Sequence, residues 1–109
     1  MDISHLIHKY TDEVNELLAA LENDLVELES DPANKQIIDK IFRKMHTIKG
    51  ASGMYGFNFI MEITHELETI YDLIRNDQQT VTKSLIDITF NVGDHIKNLI
   101  HDKEISDKQ

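Results

Sequence analysis

Cysteine is absent from this chain, which removes disulfides and thiolate metal sites and is compatible with a reducing compartment. Long hydrophobic runs are absent too. No stretch approaches the roughly 20 apolar residues that span a bilayer, and the amino terminus lacks the basic-then-apolar pattern of a secretory leader. A soluble, cytoplasmic domain is the expectation. There is no GxxxxGK[ST] or GxGxxG loop to cradle a nucleotide, and no acidic triad for Mg²⁺. No run alternates with strand period, no hairpin signal occurs, and there is neither an internal repeat nor a low-complexity tract.

What is there suffices for one modest core: 109 residues, 40% of them hydrophobic. The net charge of −9 is unevenly spread. Residues 1–31 hold nine acids (Asp2, Asp12, Glu13, Glu16, Glu22, Asp24, Glu27, Glu29 and Asp31) against Lys9 alone. Residues 32–50 reverse the balance, with Lys35, Lys40, Arg43, Lys44 and Lys49 against Asp39. An acidic chain repels nucleic acid and anionic lipid, so neither is an expected partner. The basic reversal surrounds His46, either as a solvated helix face or as a patch that favours a phosphoryl group.

Four segments carry apolar residues at helical spacing. The first, about 5–29, aligns Ile7, Tyr10, Val14, Leu17, Leu18, Leu21, Leu25 and Leu28, with Ser4 as expected N-cap. Ser30-Asp31-Pro32 breaks it, because proline disfavours helical backbone in the residue before it. The second, about 34–54, turns Ile37, Ile38, Ile41, Met45 and Ile48 inward behind an Asn34 cap. The third, about 57–76, aligns Ile60, Ile63, Leu67, Ile70 and Ile74. The fourth, about 82–102, aligns Leu85, Ile88, Val92, Ile96 and Leu99 behind a cap at Thr80 or Thr82. Residues 104–109 read as a polar tail or the start of a linker. Short connections make neighbouring helices antiparallel, so the expected fold is all-α, an up-down four-helix bundle over residues 1–103.

One segment does not suit a plain bundle. Residues 46–56 contain three of the four glycines, Gly50, Gly53 and Gly56. A glycine inside a helix costs about 1 kcal/mol relative to alanine, so Gly50 and Gly53 call for an offsetting reason. On a helical wheel Gly50 lies roughly 40° and Gly53 roughly 20° from His46, one and two turns on. Ile41, Met45 and Ile48 lie on the other side. His46 is therefore expected to project to solvent beside bare backbone, where another protein can approach its imidazole. Lys49 shares that face, and its ammonium could neutralise a phosphoryl group on the ring. Gly56 is explained as the helix end.

The third helix adds His65 and Glu68 on one exposed face with Asp72. A carboxylate accepting a hydrogen bond from imidazole Nδ1–H leaves Nε2 unprotonated and nucleophilic. Glu68 or His65 could supply such a partner to His46 if the second and third helices pack antiparallel. Taken alone, each of these groups is also an ordinary surface residue.

The stretch His46-Thr47-Ile48-Lys49-Gly50-Ala51-Ser52-Gly53-Met54-Tyr55-Gly56-Phe57 resembles the phosphoacceptor signature of histidine-phosphotransfer domains. It is most similar to those that open chemotaxis histidine kinases of the CheA type. Thr64-His65-Glu66-Leu67-Glu68 resembles the segment that lies beside the phosphoacceptor there, and the likeness runs from Asp2 to about Lys103. Ala51-Ser52 stands where the family more usually has Gly-Ala. The resemblance implies that His46 accepts a phosphoryl group at Nε2 from a kinase domain and passes it to an aspartate of a response regulator. Glu68 would orient His46, with His65 and Lys49 completing the hydrogen-bond network, while Gly50 and Gly53 keep the docking surface clear. ATP and Mg²⁺ would belong to the partner kinase domain, with no cofactor or metal here, and the isolated domain is expected to be monomeric.

Two other readings compete. Di-iron bundles need two inward Glu-x-x-His motifs; Glu62-Ile63-Thr64-His65 is one, expected to face outward, and no second exists. In an inert interaction bundle the glycines would serve close helix packing and the histidines would be incidental. His5, His8, His95 and His101 are read that way, as surface residues.

Overall fold

The computed structural model describes residues 3–108, with side chains described for 4–103. Asp2, at the start of the resemblance, and Gln109, at the end of the tail, lie outside the described residues. Four helices follow in order: α1 Ile3–Ser30, α2 Lys35–Met54, α3 Asn58–Arg75 and α4 Lys83–Lys108. They form an antiparallel up-down bundle measuring 45 × 20 × 19 Å. Its long axis is about the length of α1, whose 28 residues rise about 42 Å. α2 and α3 pack most extensively, α1 lies against α2 and α4, and α3 and α4 meet least.

Local sequence sets the helix ends. Asn34 caps α2, its side chain accepting from the backbone N–H of Gln36 and Ile37. Thr82, rather than Thr80, caps α4 by accepting from Leu85 N–H at 3.1 Å. α1 already includes Ile3, one residue before the expected cap Ser4. α2 closes in a Schellman motif, in which Phe57 N–H donates to Ser52 C=O and Gly56 N–H to Gly53 C=O. Gly56 takes φ +81°, as the motif requires. α3 closes the same way, with Gln78 donating to Leu73 and Asp77 to Ile74, but here Asp77 holds the positive φ of 63°. α4 runs to Lys108, past the end expected near residue 102. No glycine or proline follows Gly93 to stop it.

The core takes Tyr10, Val14, Leu18, Leu21, Leu25 and Leu28 from α1 and all five expected residues of α2. α3 and α4 depart from the expected stripes. Ile70 and Ile88 are exposed, while Thr64, Tyr71, Ile86, Thr89 and Ile100 are buried. Hydrogen bonding explains the rotation of these faces. Tyr71 Oη and Thr89 Oγ1 lie 2.8 Å apart across the α3–α4 seam. The hydroxyl groups of Thr64 and Thr89 also donate to the carbonyls of Ile60 and Leu85 within their own helices. A polar group with a partner can be buried at little cost, and a wheel read from isoleucine and leucine alone overlooks it.

Candidate functional site

The site is assembled on the best-packed helix pair. His46 is on the outer face of α2, 63% exposed at its side chain. Its imidazole Nδ1–H donates to Glu68 Oε1 at 3.2 Å, across the groove from α3. Lys49 Nζ donates to the same Oε1 at 3.2 Å and sits 2.8 Å from Oε2, too far off-axis there for a directed hydrogen bond. Glu68 is the least exposed of the three, with 13% of its side chain open to solvent. Burial opposes its ionisation, but the hydrogen bonds and charges of Lys49 and His46 outweigh that, and its carboxyl is held below the ordinary glutamate pKa. An ionised Glu68 is an acceptor only. It therefore selects the tautomer that carries a proton on Nδ1 and a lone pair on Nε2.

The structure brings together His46, Lys49 and Glu68 but leaves His65 aside. His65 lies one turn before Glu68, exposed, and makes no hydrogen bond to any of the three among the described residues. It lines a shallow groove of about 280 Å³ together with Lys49, Gly50, Gly53, Met54, Met61 and Glu62. The two glycines of this groove differ. A Cβ on Gly50 would meet nothing within 4 Å. A Cβ on Gly53 would sit 2.8 Å from Met61 Sδ, so Gly53 is half-covered by α3 and also serves to bring Met61 over α2.

The basic reversal around His46 is largely neutralised within the chain. Lys35 pairs with Asp77 at 2.6 Å, Arg43 with Asp39 at 2.7 Å, Lys44 with the buried Asp24 at 2.6 Å, and Lys49 with Glu68. Of these cations, Lys49 is the one that shares its carboxylate partner with His46.

Other residues at the site escaped the sequence reading. Phe42, one turn before His46, lays its ring 6.3 Å from the imidazole at an interplanar angle of 17°. Arg75 places its guanidinium 3.8 Å from the centre of the Phe42 ring. Ser52, at a position where the sequence departs from the family pattern, is fully buried, 2.7 Å from Tyr10 Oη. The spacing of Phe42 to His46 was legible; the approach of Arg75 from another helix was not.

Set against known proteins, the Hpt domain family model matches residues 5–104. The chain belongs to the Hpt domain family. This Hpt domain is 36% identical over 99 residues to chemotaxis protein CheA of Listeria monocytogenes, covering 91% of this chain but 16% of that protein. It superposes on the CheA phosphotransferase domain from Thermotoga maritima with a TM-score of 0.91 at 32% identity, covering 94% and 97% of the two chains. The phosphorylated P1 domain of CheA3, solved in complex with CheY6 from R. sphaeroides, shares the Hpt fold at a TM-score of 0.85 and 21% identity, over 94% and 80% of the two chains. Among the described residues, no helix of this Hpt domain is long and apolar enough to cross a membrane.

Proposed function

We propose that this Hpt domain is the phosphoryl carrier of a CheA-like chemotaxis kinase, with His46 as phosphoacceptor. The observation that carries the reading is the pairing of His46 Nδ1–H with a carboxylate held ionised by Lys49, on a ring otherwise open to solvent. That arrangement leaves the Nε2 lone pair outward. In the forward step Nε2 attacks the γ-phosphorus of ATP bound to a kinase domain, forming the N–P bond as the bridging P–O bond breaks and ADP leaves. The Nδ1 proton stays on the ring, shared with Glu68, which stabilises the charge that the ring acquires. In the second step an aspartate carboxylate of a response regulator attacks the phosphorus, and the N–P electron pair returns to Nε2. Lys49 is placed to turn from Glu68 toward the phosphoryl oxygens. Kinase domain and regulator bring the Mg²⁺ and the active sites, because phosphoryl transfer is mostly positioning and charge stabilisation. His65 and the groove beside it, with Gly50 and Gly53, are assigned to docking. A cytoplasmic location follows from this role.

The test is incubation with ATP, Mg²⁺ and a CheA-type kinase domain. Acid-labile, base-stable label on the wild-type chain that is lost in His46→Gln is the expected result. Label that persists in His46→Gln overturns the assignment.

A further inference from the structure

We propose that Phe42, held by Arg75, is a positioning residue for phosphoryl transfer, fixing the plane of the His46 imidazole that the hydrogen bond to Glu68 leaves free to swing. This rests on the reading of His46 as phosphoacceptor and adds a part that neither Glu68 nor Lys49 supplies.

An exposed histidine keeps much of its side-chain freedom. The χ2 torsion of histidine is broad, and one hydrogen bond at Nδ1 pins an edge of the ring while allowing the ring to rock about that point. Nε2, on the far side, would sweep the widest arc. A second contact is needed to define where its lone pair points. Helical side chains lean toward the amino terminus, over the preceding turn, and the turn before His46 presents Phe42. The two rings lie nearly parallel, 17° apart, with centroids 6.3 Å from one another, within the range of offset aromatic pairs. Phe42 is half-buried and its base rests on the core. His46 thus has a hydrogen bond from its edge to α3 and an offset, nearly parallel ring beside it on its own helix.

Phe42 is itself restrained. The Arg75 guanidinium lies 3.8 Å from the ring centroid, a close cation–π contact. Arg75 in turn donates to Asp72 Oδ1 at 2.7 Å and to Asp39 Oδ1 at 3.3 Å. Those two carboxylates sit on α3 and α2, so the guanidinium is fixed from both helices. A ladder results along the seam: Asp39 and Asp72 hold Arg75, Arg75 covers Phe42, Phe42 flanks His46, and Glu68 with Lys49 closes the other end. Ion pairs this exposed contribute little to stability. Their convergence on a ring whose neighbour is the phosphoacceptor is better accounted for by orientation. Transfer requires the nucleophile near its attack geometry, and the ladder supplies it before a partner arrives.

The experiment measures single-turnover phosphorylation of the chain by a CheA-type kinase domain with Mg-ATP, together with ¹⁵N spectra of the His46 imidazole. Phe42→Leu keeps an apolar side chain but removes the flat ring; it is expected to lower the saturated rate about tenfold, with KM for the domain little changed. Phe42→Tyr restores the ring and most of the rate. Arg75→Met leaves Phe42 unpinned and is expected to lower the rate about threefold. Because Glu68 remains, the Nδ1-protonated tautomer persists in every variant, while contacts between ring protons of residues 42 and 46 weaken in Arg75→Met. A wild-type rate in Phe42→Leu overturns the proposal, as does an equal loss in Phe42→Tyr or an effect confined to KM. If Phe42→Leu does not fold, Arg75→Met decides: an unchanged rate there overturns it. A wild-type chain that takes no label at His46 overturns the phosphoacceptor reading itself, which separates the two failures.

Discussion

At the scale of single residues, the cluster is organised around one carboxylate. Glu68 is shielded from water yet ionises more readily than an ordinary glutamate, because Lys49 and His46 converge on it. Its folded pKa lies below the unfolded one, so the stability it contributes is present above the ordinary value of 4.5 and disappears as pH falls through the lowered folded value. The stability difference between wild type and Glu68→Gln should therefore be constant near neutral pH and shrink in acid below about pH 4.5, as followed by thermal unfolding. Lys49→Met should move the Glu68 carboxyl midpoint upward, read from its ¹³C shift; an unmoved midpoint would show that the lysine is not what holds the carboxylate charged. Glu68→Ala should slow phosphorylation of His46 by about 10²-fold while the helical circular dichroism is retained, the size expected when a group that assists proton placement is removed. Part of this was legible beforehand: spacing alone put His46 on an exposed face with Lys49 one turn on, but it also put Glu68 on an exposed face, whereas the packing of α3 on α2 leaves only 13% of that side chain open. His65 could not be separated from Glu68 in the sequence, because a one-turn offset along α3 decides which side chain reaches across, and only helix–helix register sets that offset.

At the scale of elements, the helix ends and the two buried hydroxyl pairs define what each helix can tolerate. Gly56 occupies the left-handed position that closes α2, and an L side chain there meets its own carbonyl, so Gly56→Ala should lower stability by about 1–2 kcal/mol in urea unfolding. Tyr71 is driven by burial to a pKa of about 12, with the Thr89 hydrogen bond partly offsetting the rise. Tyr71→Phe should cost about 1 kcal/mol. Thr89 keeps its bond to Leu85 C=O at 2.7 Å, and a larger loss would mean that the phenol also organises the seam. Gly53 belongs at this scale as well. A bulky residue there must displace Met61, so Gly53→Leu should lower the melting temperature as well as slow partner docking, a double effect that Gly50→Leu, bordering open space, should not share.

At the scale of the whole molecule, the face that carries His46 and the core are separable. The site lies on α2 and α3, whereas α1 supplies a continuous buried stripe to every packing layer. Leu21, 1% exposed, is remote in function from His46, and Leu21→Ala should cost about 2–5 kcal/mol of unfolding free energy. The folded fraction should still be phosphorylated at the wild-type rate, which a titration of rate against folded fraction would show. Cross-bundle ion pairs such as Lys44 with Asp24 and Lys97 with Glu22 join α1 to α2 and α4. The first of these pairs places a cation of the basic second helix against a carboxylate of the acidic first one.

Periodicity, the proline break and the glycine cluster were enough to determine four helices, their order and the exposure of His46, because those properties depend on residues a turn or two apart. The faces of α3 and α4 were not determined in this way. Tyr71 and Thr89 are buried because each finds the other's hydroxyl across a seam, and no local pattern encodes a partner 18 residues away. The same holds at the site. Sequence alone placed a histidine on a bare helix face, but only the packing of α3 on α2 decided that Glu68 meets its Nδ1, that His65 does not, and that Arg75 reaches over Phe42. Through-space register is a property of the assembled bundle, set when the two apolar stripes interlock.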